Sequence, residues 1–443
     1  MTNRRAVFPS CLLAGLIGLA GLTAFAAPPS PTALDKRVKA ATAKIAAELV
    51  AIRRDIHCHP ELGLQETRTA GIVADYFRKL GLEVRTGYAK TGVIGILKGG
   101  KPGPVVAMRG DMDALPITEE TGLPFASVEK AVVAGQETGL MHACGHDIHT
   151  TLLLGVAAVL TALKADLPGT VVFIAQPAEE CCGGADMMIR DGAFKDVVPA
   201  AFFAYHVDDT LKAGRIGYAS GFMSANVDGF TLEIKSDGCH GASPWSCLDP
   251  IVVGAQVVTA LQTIVSRETN VWNNTVITVG SFHAGSAPNI IPRSARLEAT
   301  VRNYGEDQRR ILKDKITRLI AGICASAGAR FDLAYEFGTM SVYNDPALVR
   351  GALATAERIL GSKEALVEQK PEMGGEDFSY YGTIAPAVMF GLGVVPPDLE
   401  ATAVHSPNFV ADEAAIPIGV ALMANIIFDH QAKAGRAAAK KVP

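Results

Sequence analysis

Three short runs, Val105-Val106-Ala107-Met108, Val171-Val172-Phe173-Ile174-Ala175 and Ala201-Phe202-Phe203-Ala204, are apolar without interruption. A strand with one wet face would alternate apolar and polar residues, so these runs predict strands covered on both faces. Helical patterns separate and flank them: Ala33 to Asp55, Thr67 to Leu80 stopping at Gly81, and a stretch with Ile148, Leu152, Val156, Val159 and Leu163 at helical spacing. The expected fold class is α/β, a mainly parallel sheet with helices on both faces.

The middle of the chain reads differently. Strands are expected at Phe230–Ile234, Val276–Val279, Ala295–Val301 and Phe331–Tyr335. Helices are expected at Pro250–Val265, with Asp249 as N-cap and Pro250 at the first position, and at Asp307–Ala325. That β-α-β-β-α-β order is ferredoxin-like. It predicts an α+β domain at 222–337 inserted between the two parts of the α/β domain, 33–221 and 338–435.

The first residues carry a different signal. Arg4 and Arg5 precede an apolar stretch from Cys11 to Ala26 that ends Ala24-Phe25-Ala26, the pattern of a secretory signal peptide over 1–26. The stretch is shorter than the ~20 residues of a membrane span. The expectation is an exported protein, periplasmic or secreted, with no stable membrane insertion once the leader is removed. The net charge of −4 and the lack of Lys/Arg-rich runs argue against a nucleic-acid partner.

Export makes the cysteines relevant. Seven of the eight follow the leader, an odd number that leaves at least one free, with Cys144 the candidate. Cys239 and Cys247 could close a small loop, and a bond between the neighbours Cys181 and Cys182 would be strained. For each pair the reading favours free, buried thiols.

The residues suited to chemistry follow the apolar runs. Ligands of open α/β sheets gather at the carboxyl ends of strands, and the runs lead to Asp111 and Asp113, to Glu179 and Glu180, and to His206. Cys144 and His146 lie two apart in a Met141–His149 segment that precedes a helix, so in a loop both can turn towards one point. Thiolate and imidazole suit zinc-like ions. Of two adjacent carboxylates, one can bind metal while the other handles protons. His405 follows a fourth apolar run, Val388 to Leu392. Asp111 and Asp113 read as ligands, as orienters of ligand imidazoles, or as turn formers. No G-x-S-x-G elbow, H-E-x-x-H helix, P-loop or G-x-G-x-x-G fingerprint is present.

Nine segments then carry a resemblance: RDIHCHPEL at 54–62, MRGDMDALPITEE at 108–120, MHACGHDIHTT at 141–151, QPAEE at 176–180, YHV at 205–207, HGASP at 240–244, SAPNIIP at 286–292, GGEDFSYY at 374–381 and HSPNF at 405–409. The chain resembles the co-catalytic metallopeptidase family of aminoacylases and glutamate carboxypeptidases. Within it, the chain looks like the amidohydrolase branch of hippurate hydrolases and indole-acetyl-amino acid hydrolases. The resemblance implies metal ligands at Cys144, His146, Glu180, His206 and His405, with Glu179 as general base and Asp113 supporting the ligands. It implies substrate contacts from His240 and Asn289, often across a homodimer formed by the inserted domain. It implies two divalent ions, zinc or manganese first and cobalt or nickel as alternatives. The implied reaction is cleavage of N-acyl amino acids to a carboxylate and a free amino acid. A dipeptidase or carboxypeptidase using the same site is the alternative, and a non-catalytic binding protein the last. Three departures stand out: Trp245 follows HGASP where the branch usually has His, Thr269-Asn270-Val271-Trp272 follows Arg267-Glu268 where Asp-Pro is usual, and Cys181-Cys182 replaces small or Gly-rich residues.

Overall fold

Each apolar run feeds two cores at once. In the structure, a computed structural model describing residues 31–439, Val106, Met108, Val171, Phe173 and Phe203 face one core, while Ala107, Val172, Ile174, Phe202 and Ala204 face another. Successive strand side chains point to opposite faces, so an uninterrupted run is what a sheet buried on both sides requires. The leader expected at 1–26 lies outside the described residues.

The sheet has eight strands, in spatial order Glu83–Tyr88, Gly92–Lys98, Pro168–Gln176, Lys101–Asp111, Phe202–Lys212, Ala387–Val395, Ile216–Tyr218 and Leu366–Glu368. Its four central strands are mutually parallel, and the antiparallel pairings lie towards the two edges. Ala387–Val395 is buried at every position. One face carries the helices Ala33–His57, His146–Ala162 and Ala415–Ala439, packed on one another. His146–Ala162 is buried from His146 to Leu160, so its full apolar extent exceeds the single stripe read from spacing.

The inserted sheet has the order Thr275–Ala284, Ser294–Asn303, Asn226–Lys235, Arg330–Glu336, antiparallel throughout. With the helices Pro250–Thr263 and Glu306–Ala327 it makes the ferredoxin-like arrangement. Asn226–Lys235 alternates between buried and half-buried positions, as expected of a sheet covered on one face. Asp249 caps its helix by accepting the N–H groups of Ile251 and Val252 at 2.9 and 3.4 Å. That helix ends at Thr263, and Ile264–Glu268 continues as a π-helical turn.

Pro250–Glu268 and Ala415–Ala434 are each long and apolar enough to cross a membrane. Both are built into this fold, the first against the inserted sheet and the second against the main sheet and its helices.

The expectation of free thiols is corrected at four positions. Cys181–Cys182 and Cys239–Cys247 are disulfides, and Cys58, Cys144 and Cys324 are free. The one-turn Pro244–Ser246 helix folds the 239–247 loop back and brings its two cysteines together, with Cα atoms 6.0 Å apart. Cys181 and Cys182 are exposed rather than buried.

Candidate metal centre

Four segments meet at the carboxyl end of the central strands. Lys101–Asp111 pairs with Phe202–Lys212 only as far as Arg109 beside Ala204. His206 therefore lies two residues past the last pair on that side and opposite Gly391 on the other, within a strand that runs on to Lys212 rather than closing at His206. Glu179 and Glu180 open a one-turn helix, Glu179–Cys182, after Pro168–Gln176. Its N-cap is Ala178, at a φ of 55°, a left-handed conformation rare for a residue with a Cβ. Gly145 precedes His146 with a φ of 75° and starts the long helix. His405, at a φ of 60°, donates its N–H to the Ala143 carbonyl at 2.9 Å. Such costly backbone geometry clusters at functional sites.

These turns bring all five expected ligands together. Donor atoms of Cys144, His146 and His206 lie within 4.8 Å of one another, as do those of Cys144, Glu180 and His405, and those of His146, Glu179 and Glu180. The Cys144 sulfur joins the first two groups, 3.4 Å from His206 Nε2 and 3.3 Å from His405 Nε2.

Hydrogen bonds fix which ring atoms are available. His146 Nδ1–H donates to Asp113 at 3.2 Å, and His206 Nδ1–H donates to the Val207 carbonyl at 2.7 Å. Each ring is thereby left with Nε2 as a lone-pair donor facing the cluster. His146 Nε2 and Glu180 Oε1 are buried without a hydrogen-bond partner. Glu180 Oε1 also lies 3.0 Å from His405 Nε2, an ion pair when that imidazole carries a second proton. Sulfur, nitrogen and oxygen donors converging in overlapping groups, with the buried His146 Nε2 left unpartnered, suit divalent cations, so the residues fit a two-metal site.

Charge differentiates the adjacent carboxylates. Burial opposes ionisation of Glu180, but His405 and His146 outweigh it and hold its carboxyl down at about 2. Burial pushes Glu179 well above the usual carboxylate range, and the nearby Glu376 and Asp377 charges add to it. Asp113 joins the two by accepting the backbone N–H of Glu179 at 3.1 Å and of Glu180 at 2.9 Å. A cleft of about 200 Å³ opens onto Cys144, Glu179, Glu180, His206 and His405, and continues between Asp208 and Glu376.

His240 and Asn289 are not in this cleft. Both are exposed on the inserted domain and line a separate depression with His283 and Arg293. There His240 pairs with Ile290, and Gly241 N–H donates to the Asn289 carbonyl at 2.8 Å. Trp245 is 82% exposed and also lies outside the cleft.

The sequence reading gave no role to the groups behind Glu179. Arg109, fully buried, pairs with Asp111 at 2.5 Å, Glu376 at 2.9 Å and Asp377 at 3.1 Å. Gln176 donates to both Asp377 oxygens, at 2.7 and 2.9 Å. His149 donates from Nδ1 to Asp111 at 2.6 Å and accepts the Val207 N–H at Nε2, at 2.8 Å. Burial pushes its imidazole down to about 4, so the ring is neutral. An arginine directly after the buried run ending at Met108 was the available signal for this network.

Residues 107–429 match the family model described as peptidase family M20/M25/M40. The N-acetylcysteine deacetylase of Bacillus subtilis (strain 168) is 37% identical over 371 residues, 84% of this chain and 93% of the relative. Thermostable carboxypeptidase 1 of Saccharolobus solfataricus is 36% identical over 383 residues, 84% of this chain and 92% of the relative. The solved structure of Bacillus subtilis YxeP protein, described as a dinuclear metal-binding peptidase from the M20 family, superposes with a TM-score of 0.76. Its identity is 33%, over 88% of this chain and 99% of that one.

Fold, donor set and relatives define a metal-dependent hydrolase of amide bonds that takes two divalent ions. The chain belongs to peptidase family M20/M25/M40.

Proposed function

We propose that this protein hydrolyses N-acyl amino acids, hippurate-like or other acyl and aryl-acyl conjugates, to a carboxylate and a free amino acid. The observation that carries this reading is the pairing of Glu179 and Glu180 on one turn, with only Glu180 in the same donor group as Cys144 and His405. Cys144, His146, Glu180, His206 and His405 hold the two ions, zinc or manganese first and cobalt or nickel as alternatives, all of which a mixed sulfur, nitrogen and oxygen donor set admits. Bound there, divalent ions supply Lewis acidity towards the amide carbonyl and the attacking water. Glu179 removes a proton from that water and returns it to the leaving amine. Asp113 orients His146 and the Glu179–Glu180 backbone.

His240 and Asn289 reach the substrate from a second copy of the chain, since their own depression is separate from the metal cleft. A homodimer through the inserted domain supplies that copy. The leader pattern at 1–26 and two disulfides outside the metal cluster support export to the periplasm or the medium.

The relatives also keep a peptidase reading in play, with free dipeptides or a C-terminal residue as the target. The test is a panel of benzoyl-, acetyl-, long-acyl- and indole-acetyl-amino acids beside free dipeptides, assayed with each metal in turn. Amine release confined to the dipeptides would replace the amidohydrolase reading with the peptidase one.

A further inference from the structure

The turn that carries Glu179 and Glu180 is anchored unevenly. Ala178 N–H donates to Glu66 at 2.8 Å, and Asp113 takes the next two N–H groups. The following side-chain anchor is Ala185 N–H to Asp377, at 3.0 Å. Between Glu180 and Ala185, only Cys182 N–H at 3.3 Å and Gly184 N–H at 3.1 Å are held, both by the one Ala178 carbonyl. Ala178 and Gly183 on either side have left-handed φ values of 55° and 70°. This weakly held stretch carries the Cys181–Cys182 bond.

The bond also has a fitted seat and an open face. A Cβ added at Gly63 would lie 2.6 Å from Cys181 Sγ, so the sulfur rests on a floor that only glycine provides. Both cysteines are exposed, and neither lines the metal cleft. Small thiols therefore have access to the sulfurs from solvent, while the cleft stays behind the turn.

We propose that Cys181 and Cys182 form a thiol–disulfide exchange site for small dithiols, whose cross-link keeps the turn at Glu180 in its metal-holding shape. The proposal rests on the reading of Glu180 as a metal ligand. In the exchange, a thiolate of the dithiol attacks one sulfur, the Cys181–Cys182 bond breaks, and the departing sulfur takes a proton. The second thiol of the dithiol then displaces the other cysteine, leaving a cyclic disulfide outside and two thiols on the protein. Two electrons pass from the dithiol to the pair. The freed turn samples more backbone states, and Glu180 loses preorganisation.

The test uses the metal-loaded protein, treated with dithiothreitol, desalted without air, and challenged with a coloured chelator. Alkylation and mass spectrometry of the 181–182 peptide report its thiols. Reduced protein should release metal about tenfold faster, the size of a lost supporting contact, and glutathione disulfide should restore the slow rate. The variant C181A/C182A should release metal at the fast rate with or without dithiothreitol. It retains Cys239–Cys247, so a dithiothreitol effect of equal size in this variant would overturn the proposal. So would fully alkylated Cys181 and Cys182 with an unchanged release rate, or a pair that stays closed under dithiothreitol. Redox-dependent release without hydrolysis of any N-acyl amino acid would sink the substrate reading and support this one.

Discussion

Asp113 holds Glu180 by its backbone: the Asp113 carboxylate accepts the Glu180 N–H at 2.9 Å, while its other oxygen takes the Glu179 N–H and the His146 ring N–H. One side chain thus sets the turn of the adjacent glutamates and the tautomer of a histidine. Asp113→Ala should leave buried donors unpaired, costing about 1–3 kcal/mol per group, and should lower metal affinity about 10–100-fold. Asp113→Asn retains one acceptor oxygen and should fall between the two. Chelator competition and unfolding of metal-free protein measure the two effects separately. Wild-type affinity in Asp113→Ala would remove Asp113 from the site.

Glu179 and Glu180 share that anchor but differ in charge state. Glu179→Gln should lose turnover by several orders of magnitude while keeping two ions per chain, because its carboxyl is needed for proton transfer. Glu180→Ala should lose at least one ion. Metal counted by mass spectrometry beside kcat gives the comparison. Equal metal loss in both variants would mean that Glu179 is a ligand rather than the base.

Much of this arrangement was legible, for identifiable reasons. Buried parallel strands write themselves as unbroken apolar runs, and Asp111, Glu179 and Glu180 follow such runs. His206 was found with its strand, but the strand's continuation to Lys212 was hidden by the polar Asp208-Asp209-Thr210. The left-handed backbone at Ala178 and His405 had no residue signature, because neither is Gly or Asn. Arg109, Glu376 and Asp377 meet across 267 and 268 residues of sequence. Sequence spacing carries no trace of such pairing, and a lone charged residue near a strand normally reads as solvated.

Removing the metals should cost stability as well as activity. His146 Nε2 is buried without a hydrogen bond, and the Glu180, Cys144 and His405 donors crowd together beside it, so a bound ion relieves groups that the fold alone leaves poorly partnered. A ligand at 100 times its dissociation constant adds about 2.7 kcal/mol. Chelation should therefore lower the melting temperature by several degrees, and the effective metals should restore it in order of affinity. Calorimetry with and without zinc, manganese, cobalt and nickel checks this. An unchanged melting temperature after verified metal loss would contradict a preformed site.

Behind the cluster, His57 gives a pH signature in stability. Burial opposes its charge, but Asp147 at 2.8 Å and Glu119 at 3.2 Å outweigh burial and the neighbouring Arg53, raising its pKa above the ordinary value. His142 and Phe125 are its ring neighbours, and Glu413 faces Arg53. A raised folded-state pKa gives stability that is complete below the unfolded value, about 6.5, and is lost as pH rises through the folded value. The stability gap between wild type and His57→Gln should be widest near pH 6 and should narrow towards pH 9. Guanidinium unfolding at both pH values measures it. A gap that widens with pH would show that His57 is neutral in the folded protein.

The homodimer proposed above needs a surface for a second copy, and the inserted domain offers a candidate. Trp272 is 86% exposed and Val271 87% exposed, just before Thr275–Ala284, which has only one neighbouring strand among the described residues. An open edge strand beside large apolar side chains invites pairing with another chain. Trp245 stands exposed on the disulfide-closed loop that also carries His240, so a partner seated here would bring its apolar anchor and its histidine together. Trp272→Asp should shift the protein towards monomer in sedimentation equilibrium. It should also lower kcat/KM without changing metal content, because a monomer has no second His240 to offer. Mixing Glu179→Gln protein with His240→Ala protein tests the same point from the other side. Each homodimer should be inactive, and subunit exchange should restore about a quarter of the wild-type sites on random pairing. Recovery absent despite proven exchange would place His240 over the cleft of its own chain.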